Sequence, residues 1–219
     1  ELTGLMARLA GPRAVLAKGR PRPLFDCQCP LMSLPLALGT RLDTIPAEAP
    51  YLAADEGRLA AWRERLGPAR RPRVGLVWSG QARHSNDRNR SIPLAAFAPL
   101  AGLGMEVVSL QNDVRPSDAD AVRRLGVRNF AAHLTDFSET AALISLMDLV
   151  VTVDTSVAHL AAALGKRLSI LLPFAPDWRW MLERGDSPWY PTARLFRQAR
   201  RGGWAEVIDC VAADVRDAL

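Results

Sequence analysis

Lysine is nearly missing from this chain of 219 residues, and cysteine is scarce. Lys18 and Lys166 are the two lysines among 28 basic side chains, so the net charge of +5 comes from arginine. The arginines are mostly scattered, which argues against a nucleic-acid surface and favours a small anionic ligand. Of the three cysteines, Cys27 and Cys29 lack the second pair or nearby His that a zinc site needs. We expect no nucleic-acid partner, no metal and a reducing, cytoplasmic environment.

Long apolar runs and several familiar loop sequences are also missing. No apolar stretch reaches the roughly 20 residues that a membrane-spanning helix requires, and no signal peptide is recognisable. The chain has no Gly-x-Gly-x-x-Gly sequence and no Walker loop, which argues against NAD enzymes and P-loop ATPases. It also lacks a Ser-centred nucleophile elbow. We therefore expect no transmembrane segment and no cofactor.

What the chain does have, from Arg73 onward, is an alternation of strands and helices. The predicted strands are 74–78, 106–110, 127–130, 149–153, 168–172 and 194–197, and the predicted helices are 94–100, 117–125, 138–147, 156–164 and 204–218. Short runs of Val, Ile and Leu separated by helices are typical of a parallel sheet covered on both faces. With right-handed crossovers, this pattern predicts an α/β, doubly wound, Rossmann-like domain.

Residues 1–71 have a different character, rich in Pro and Gly. Ala14–Ala17 is a possible strand, 31–38 a short apolar helix or buried loop, and Glu56–Leu66 an amphipathic helix that Gly67 and Pro68 end. Arg70-Arg71-Pro72 has the composition of a linker. We therefore divide the chain into 1–71 and 72–219, and expect the last helix, 204–219, to pack back on the first part.

In a doubly wound sheet, ligands bind at the carboxyl ends of the strands, where the strand order reverses. The loop after the first predicted strand is rich in arginine, hydroxyl and glycine, which suit phosphate oxygens. Its candidate phosphate ligands are Ser79, Gly80, Arg88, Arg90 and Ser91. A solvated basic loop would have the same composition, so this loop alone decides nothing.

A second loop, Asp154-Thr155-Ser156, follows the most apolar strand and begins a helix. Thr155 or Ser156 would cap that helix, whose first N–H groups attract anions. Asp154 suits sugar hydroxyls, and His159 lies one turn further along the same face. An ordinary cap and a core histidine are the alternatives, but both loops converge on one crevice, which favours a phosphate site. Gln111, after the second strand, is the candidate for nucleoside contact or for a simple turn cap.

A third candidate surface is aromatic and proline-rich, from Pro173 to Pro191. Trp178 and Trp180 flank Arg179 in this segment. Aromatic rings in a cleft stack on sugars or bases, whereas in a core they only pack. We expect these two tryptophans to line a cleft.

Several of these segments together resemble one family. They are Val74-Gly-Leu-Val-Trp-Ser-Gly, Asn86-Asp-Arg-Asn-Arg-Ser-Ile-Pro, Val108-Ser-Leu-Gln, Asp136-Phe-Ser-Glu-Thr-Ala-Ala-Leu, 148–166, Leu172-Pro-Phe-Ala-Pro-Asp-Trp-Arg-Trp, Ser187-Pro-Trp-Tyr-Pro and Leu195-Phe-Arg-Gln. The chain resembles the glycosyltransferase region of bacterial tetratricopeptide-repeat proteins. That region is similar to the heptosyltransferases, which are glycosyltransferase family 9-like and have the GT-B fold. Cys29-Pro-Leu-Met-Ser-Leu-Pro-Leu-Ala-Leu-Gly-Thr resembles part of the acceptor-side domain of the same proteins.

The resemblance implies two facing Rossmann domains, with a nucleotide-sugar donor in the second and only a remnant of the first in residues 1–71. Thr155 and Ser156 would then hold the diphosphate, Asp154 the sugar, and His159 would support the loop. Where the heptosyltransferases often use a Lys, the positive charge here must come from Arg88 or Arg90. The catalytic base would be an Asp of the first domain, outside this chain.

The leading hypothesis is thus metal-independent transfer of a sugar from a nucleotide-diphosphate donor to a hydroxyl of a protein or glycan acceptor. The parent protein is expected to be bacterial and to carry tetratricopeptide repeats. Two alternatives stay open. One is a nucleotide-sugar epimerase, for which Asp154, Asp177 and Glu183 are the carboxylates available. The other is a non-catalytic module that binds nucleotide sugar or protein.

Overall fold

A computed structural model describes residues 2–218, and a parallel sheet of five strands forms its centre. The strands are β1 (Arg73–Val77), β2 (Glu106–Ser109), β3 (Leu149–Val153), β4 (Leu168–Leu172) and β5 (Ala193–Arg197). Their order is β2-β1-β3-β4-β5, and Val74 pairs with Val107 on one side and Leu149 on the other. The order reverses between β1 and β3. The predicted doubly wound α/β fold is confirmed.

Burial explains why these residues form the central strands. Every residue of β1, β3 and β4 is buried, because helices cover both faces of the sheet. The helices are α1 (Thr3–Met6), α2 (Leu34–Ala37), α3 (Glu56–Leu66), α4 (Asp87–Arg90), α5 (Ala98–Ala101), α6 (Ala119–Arg124), α7 (Phe137–Ser145), α8 (Ser156–Ala163) and α9 (Trp204–Ala218). Within residues 2–218, none is long and apolar enough to cross a bilayer.

Two predicted strands are wrong. The segment 127–130 is reduced to a single parallel bridge between Arg128 and Val108 at the edge of β2. It goes no further because the chain turns into a 3-10 helix at Ala131–His133. Ala14–Ala17 forms no strand, because these largely exposed residues have no neighbouring strand with which to pair.

The apolar segment 31–38 does form short helical turns, a 3-10 turn at Leu31–Ser33 followed by α2. It is not a buried loop, since Leu31 and Leu36 are 80% and 87% exposed. This segment therefore presents apolar side chains on the surface.

The predicted helix 56–66 forms, and it packs against α7 in the second part of the chain. Trp62 is fully buried there, and its Nε1 donates to Glu139 Oε2 at 2.7 Å. Arg58 donates to Glu139 and to Asp136, at 2.8 Å each. Asp136 also caps α7 through the backbone N–H of Ser138 and of the residue after it. One half-buried cluster of polar groups thus joins α3 to α7.

The segment before α3 is attached to α8. The backbone N–H groups of Tyr51 and Leu52 both donate to the carbonyl of Ala163, at 3.0 and 3.1 Å. At the other end of the chain, α9 packs on α5 and β5. The predicted last helix 204–219 therefore forms and ends at Ala218. Leu219 lies outside the described residues.

Gly75 lies in the middle of β1 because Leu110 and Met147 pack directly over it. A Cβ on Gly75 would meet Leu110 Cδ1 at 2.6 Å and Met147 Cγ at 3.0 Å. We expect Gly75→Ala to lower the free energy of unfolding by about 1–3 kcal/mol, the usual cost of overpacking a core. Urea unfolding followed by circular dichroism measures this. Gly185→Ala, which adds a methyl group in open space, is the matched control and should change stability by less than about 0.5 kcal/mol.

Candidate functional site

The loops after β1 and β3 meet where the strand order reverses. Arg90, at the end of α4, donates from Nη1 to the backbone carbonyl of Asp154 at 2.7 Å. Its guanidinium lies against Gly80, where an added Cβ would be 2.6 Å from Nη2. A side chain at this position would displace the guanidinium from this contact. The structure therefore brings Gly80, Arg90 and Asp154 together.

Gln111 holds the first loop in place. Its Oε1 accepts from the backbone N–H groups of Trp78 and Ser79, at 2.9 and 2.8 Å. Its Nε2 donates to Ser79 Oγ and to the carbonyl of Asp113, both at 2.9 Å. The side chain is buried, and both of its polar atoms are bonded within the protein. Contact with a nucleoside stays a prediction for Gln111, whereas its hold on the loop is observed.

Inside the first loop, a buried carboxylate organises the hydroxyl and backbone groups. Ser91 Oγ accepts from the N–H of Gly80 at 3.0 Å and donates to Asp87 Oδ1 at 2.8 Å. Arg115 donates to Asp87 Oδ2 at 2.5 Å and to the carbonyl of Gly80 at 3.2 Å. Asp87 is 7% exposed, and a charge so buried requires a partner.

Arg115 is a residue that sequence reasoning missed. It follows β2 in the chain, at the same edge of the sheet as the other loops. That position was the one available signal, because a buried Asp87 cannot be distinguished by sequence from the exposed polar residues around it.

The second loop presents the beginning of α8. Thr155 occupies the N-cap with an extended backbone, and its side chain makes no capping bond to any described residue. Its Oγ1 lies 3.3 Å from Thr152 Oγ1, and Ser156 is exposed. The first turn of a helix has N–H groups without an intrahelical partner, so this end is suited to an anion. Asp154 is half-buried beside it.

His159 faces the aromatic segment rather than the loop. Its Nδ1 lies 3.0 Å from Tyr190 Oη, and its ring stacks on Trp180 with centroids 5.2 Å apart. Burial lowers the pKa of His159, and the nearby Asp154 carboxylate only partly opposes this effect. His159 therefore connects the second loop to the aromatic segment in its neutral form.

The two predicted cleft tryptophans differ in position. Trp178 is 61% exposed, with Arg179 stacked on its ring at 4.7 Å, whereas Trp180 is buried. Together with Trp189, Tyr190 and His159 they line a cavity of about 150 Å³. Ligand contact at Trp178 and Trp180 stays a prediction.

Another cavity, of about 120 Å³, lies between the end of β2 and the beginning of α8. It is lined by Leu110 and Asn112, on either side of Gln111, and by Thr135, Phe137 and Ser156 among others. Sequence reasoning did not identify it, because its walls come from three separated segments.

Arg88 lies apart from the other phosphate candidates. It lines a third cavity, at the carboxyl ends of β4 and β5, together with Gln198 and Arg201. Gly80, Arg90, Ser91 and the second loop thus lie together at this edge of the sheet, with Ser79 buried behind them and Arg88 to one side.

One Asp-x-Asp sequence, the usual pattern for a divalent metal in glycosyl transfer, does occur at Asp118–Asp120. Asp118 is buried and accepts from Trp78 Nε1 at 3.0 Å and from the N–H of Leu94 at 3.1 Å. Asp120 is paired with Arg123. Both carboxylates are therefore engaged within the protein. Within residues 2–218, no group of three or more His, Cys, Asp or Glu side chains is placed to hold a metal.

The fold is that of a Rossmann-like domain of the GT-B class, as comparison with solved structures shows. Heptosyltransferase II of E. coli matches with a TM-score of 0.52 and 19% identity, over 79% of this chain and 57% of that chain. A family 9 glycosyl transferase from Veillonella parvula matches with a TM-score of 0.54 and 16% identity, over 80% and 54%. E. coli heptosyltransferase WaaC with ADP matches with a TM-score of 0.50 and 14% identity, over 81% and 53%.

Sequence comparison adds a family match over part of the chain. Residues 122–172 match the model of glycosyltransferase family 9 (heptosyltransferase). Protein FlbA of Caulobacter vibrioides is 29% identical over 184 residues, which are 80% of this chain and 30% of FlbA. The chain thus resembles the heptosyltransferases, as its loops predict. It spans about a third of that curated relative and little more than half of the heptosyltransferases of known structure.

The hold of Gln111 on the first loop is testable by removing its amide. We expect Gln111→Leu to lower the free energy of unfolding by about 2–6 kcal/mol, because two buried N–H groups lose their acceptor at about 1–3 kcal/mol each. Chemical unfolding at neutral pH measures the change. Asn112→Ala, at the exposed neighbour, is the control, and an equal loss in both variants would contradict this role.

The lowered pKa of His159 predicts acid sensitivity. The unfolded chain protonates this ring near pH 6.5, whereas the folded chain does so only at lower pH. Stability due to the neutral ring is therefore present above pH 6.5 and declines as the pH falls below it. We expect His159→Gln to show a smaller loss of unfolding free energy between pH 7 and pH 5 than the wild type. A loss as large as that of the wild type would refute this.

Proposed function

We propose that this chain binds the donor of a glycosyltransferase that moves a sugar from a nucleotide diphosphate to a hydroxyl acceptor. The observation that carries the proposal is the junction of Gly80, Arg90 and Asp154 at the open beginning of α8. The family match supports it, because residues 122–172 include β3, the second loop and α8. Activity of the whole protein belongs to the proposal, since the chain covers only part of its relatives.

The diphosphate would bind at the beginning of α8. Its oxygens would accept from the N–H groups of the first helical turn and from the hydroxyls of Thr155 and Ser156. When the bond to the sugar breaks, the leaving diphosphate gains negative charge. The helix N-terminus and the Arg90 guanidinium, already held against Asp154, would stabilise that charge. Asp154 would accept from the sugar hydroxyls.

The nucleoside would occupy the cavity between β2 and α8. Ser156 lines both this cavity and the proposed phosphate site, so a nucleoside that continues from the diphosphate reaches it. The similar WaaC structure contains ADP, which suits a nucleoside diphosphate. The walls combine the apolar Leu110 and Phe137 with the amide of Asn112. The apolar side chains would contact the face of the base, and the amide would bond to its polar edge.

The acceptor would be a protein or glycan hydroxyl, and a carboxylate from outside this chain would remove its proton. Transfer would need no metal, because the helix and arginine supply positive charge. A parent protein with tetratricopeptide repeats and a cytoplasmic location belong to the same proposal.

An epimerase is less well supported, because it needs carboxylates free to exchange protons. Burial would raise the pKa of Asp177, but hydrogen bonds from the Arg179 backbone and guanidinium outweigh it and lower that pKa. Asp177 would therefore be a weak proton acceptor at neutral pH.

Calorimetry tests the donor site. The chain is titrated with UDP, ADP, GDP, CDP and CMP, first with Mg²⁺ and then with EDTA. We expect one nucleotide to bind saturably in both conditions. Arg90→Gln should weaken this binding about tenfold, the usual effect of losing a charged hydrogen bond, and Thr155→Ala should weaken it less.

Arg124→Gln is the control, since this exposed arginine lies on α6, outside the crevice. Circular dichroism of each variant confirms that the fold is retained. Failure of every nucleotide to bind, or equal binding by Arg90→Gln and Arg124→Gln, would contradict the assignment.

A further inference from the structure

The cavity at the carboxyl ends of β4 and β5 has a volume of about 280 Å³. It opens beside the first loop, and its walls include Arg88, Phe174, Gln198, Arg201 and Trp204. This cavity is not part of the proposed phosphate site or nucleoside site, and its walls do not hold either loop in place. What it binds is therefore a separate question.

The charges around this cavity have one sign. Arg88 and Arg201 are exposed, and neither forms an ion pair with any described residue. The acidic residues nearest in sequence have other partners, since Asp87 is paired with Arg115 and Glu206 with Arg200. No Asp or Glu within residues 2–218 lines the cavity. Two arginines that line one cavity without a counter-ion favour an anion.

Gln198 adds a buried donor with no partner. Its backbone N–H continues the ladder to Leu172, and its Oε1 accepts from the N–H of Phe174 at 3.0 Å, which determines the orientation of the amide. Gln198 is 6% exposed, and its Nε2 has no hydrogen-bond partner among the described residues. An unsatisfied buried donor is costly. A ligand oxygen in the cavity would satisfy it after a small shift of the side chain.

The geometry of α4 explains why the loop after β1 contributes both to the proposed phosphate site and to this cavity. Successive residues of a helix are about 100° apart, so Arg88 and Arg90 lie on nearly opposite sides of this single turn. Arg90 binds the carbonyl of Asp154, while Arg88 lines the cavity. The cavity is therefore a neighbour of the donor crevice, with walls of its own.

We propose that this cavity binds an anionic group, a carboxylate or a phosphate, carried by a sugar substrate. Arg88, Arg201 and the Nε2 of Gln198 would contact its oxygens. Phe174, which is 50% exposed, and Trp204 offer apolar surface to the ring. The assignment of the anion to a sugar rests on the proposed function, whereas anion binding itself does not.

Nuclear magnetic resonance titration tests the proposal. The probes are D-glucuronate, D-glucose, which differs by lacking the carboxylate, and inorganic phosphate. The signals followed are the indole N–H of Trp204 and the side-chain amide of Gln198. We expect glucuronate, phosphate or both to shift these signals saturably and glucose to leave them unchanged. Response to glucuronate alone assigns a carboxylate, and response to phosphate alone assigns a phosphate.

Variants decide whether the response comes from this cavity. Arg88→Gln and Arg201→Gln should each raise the dissociation constant about tenfold, whereas Arg124→Gln should not change it. Both arginines are exposed, so their replacement should leave the fold intact. Equal shifts with glucose, no shift with either anion, or unchanged binding by the double variant would overturn the proposal. Anion binding without nucleotide binding would contradict the donor site but not this one.

Discussion

The structure depends on the complete burial of three neighbouring strands. Because every residue of β1, β3 and β4 is covered on both faces, the interiors of these strands hold no charged side chain. Arg73, the first residue of β1, is buried as an ion pair with Glu106, and the charged groups of the site lie in the loops that follow the strands. Parallel strands end at the same edge, so the loops that follow them meet there. The reversal of strand order between β1 and β3 then separates the helices that leave these two strands. The crevice between the loops is a consequence of how the sheet is covered.

Within that crevice, buried polar groups determine the shape of the loops. Asp87 is nearly inaccessible to water and is neutralised by Arg115, while Gln111 supplies the acceptor for two successive N–H groups of the first loop. These interactions leave Arg90 to reach Asp154 and Arg88 to face the neighbouring cavity. In the sequence this loop has the composition of a solvated basic stretch. In the structure its two arginines have different surroundings, Arg90 at Asp154 and Arg88 at the neighbouring cavity. A preorganised arrangement of this kind needs little reordering when an anion arrives.

The sequence predicts those elements whose formation depends on local composition. Strands β3 and β4 and helix α3 have the predicted bounds. A buried parallel strand is an unbroken run of mostly apolar residues, and a helix is delimited by its capping residues, so both can be read from the local sequence. The segment around Arg128 shows the limit, since its pairing depends on where the edge of β2 ends. For the site, the polar residues and glycine that follow β1 and β3 are enough to identify the two loops. The direction of the Gln111 amide and the role of Arg115 depend on partners about 30 residues away, which composition does not reveal.

The attachment of α3 to α7 affects how the chain can be divided. Trp62 is buried against Phe130, with ring centroids 5.5 Å apart, and its indole is bonded to Glu139. Leu5 of α1 is buried close by, since α1 also packs on α7. A shortened chain beginning at residue 72 would keep the whole sheet and both loops, yet it would expose an apolar strip along α7 and leave Glu139 without its indole partner. Such a fragment would be prone to self-association, so expression boundaries for the domain that contains the sheet belong upstream of α3.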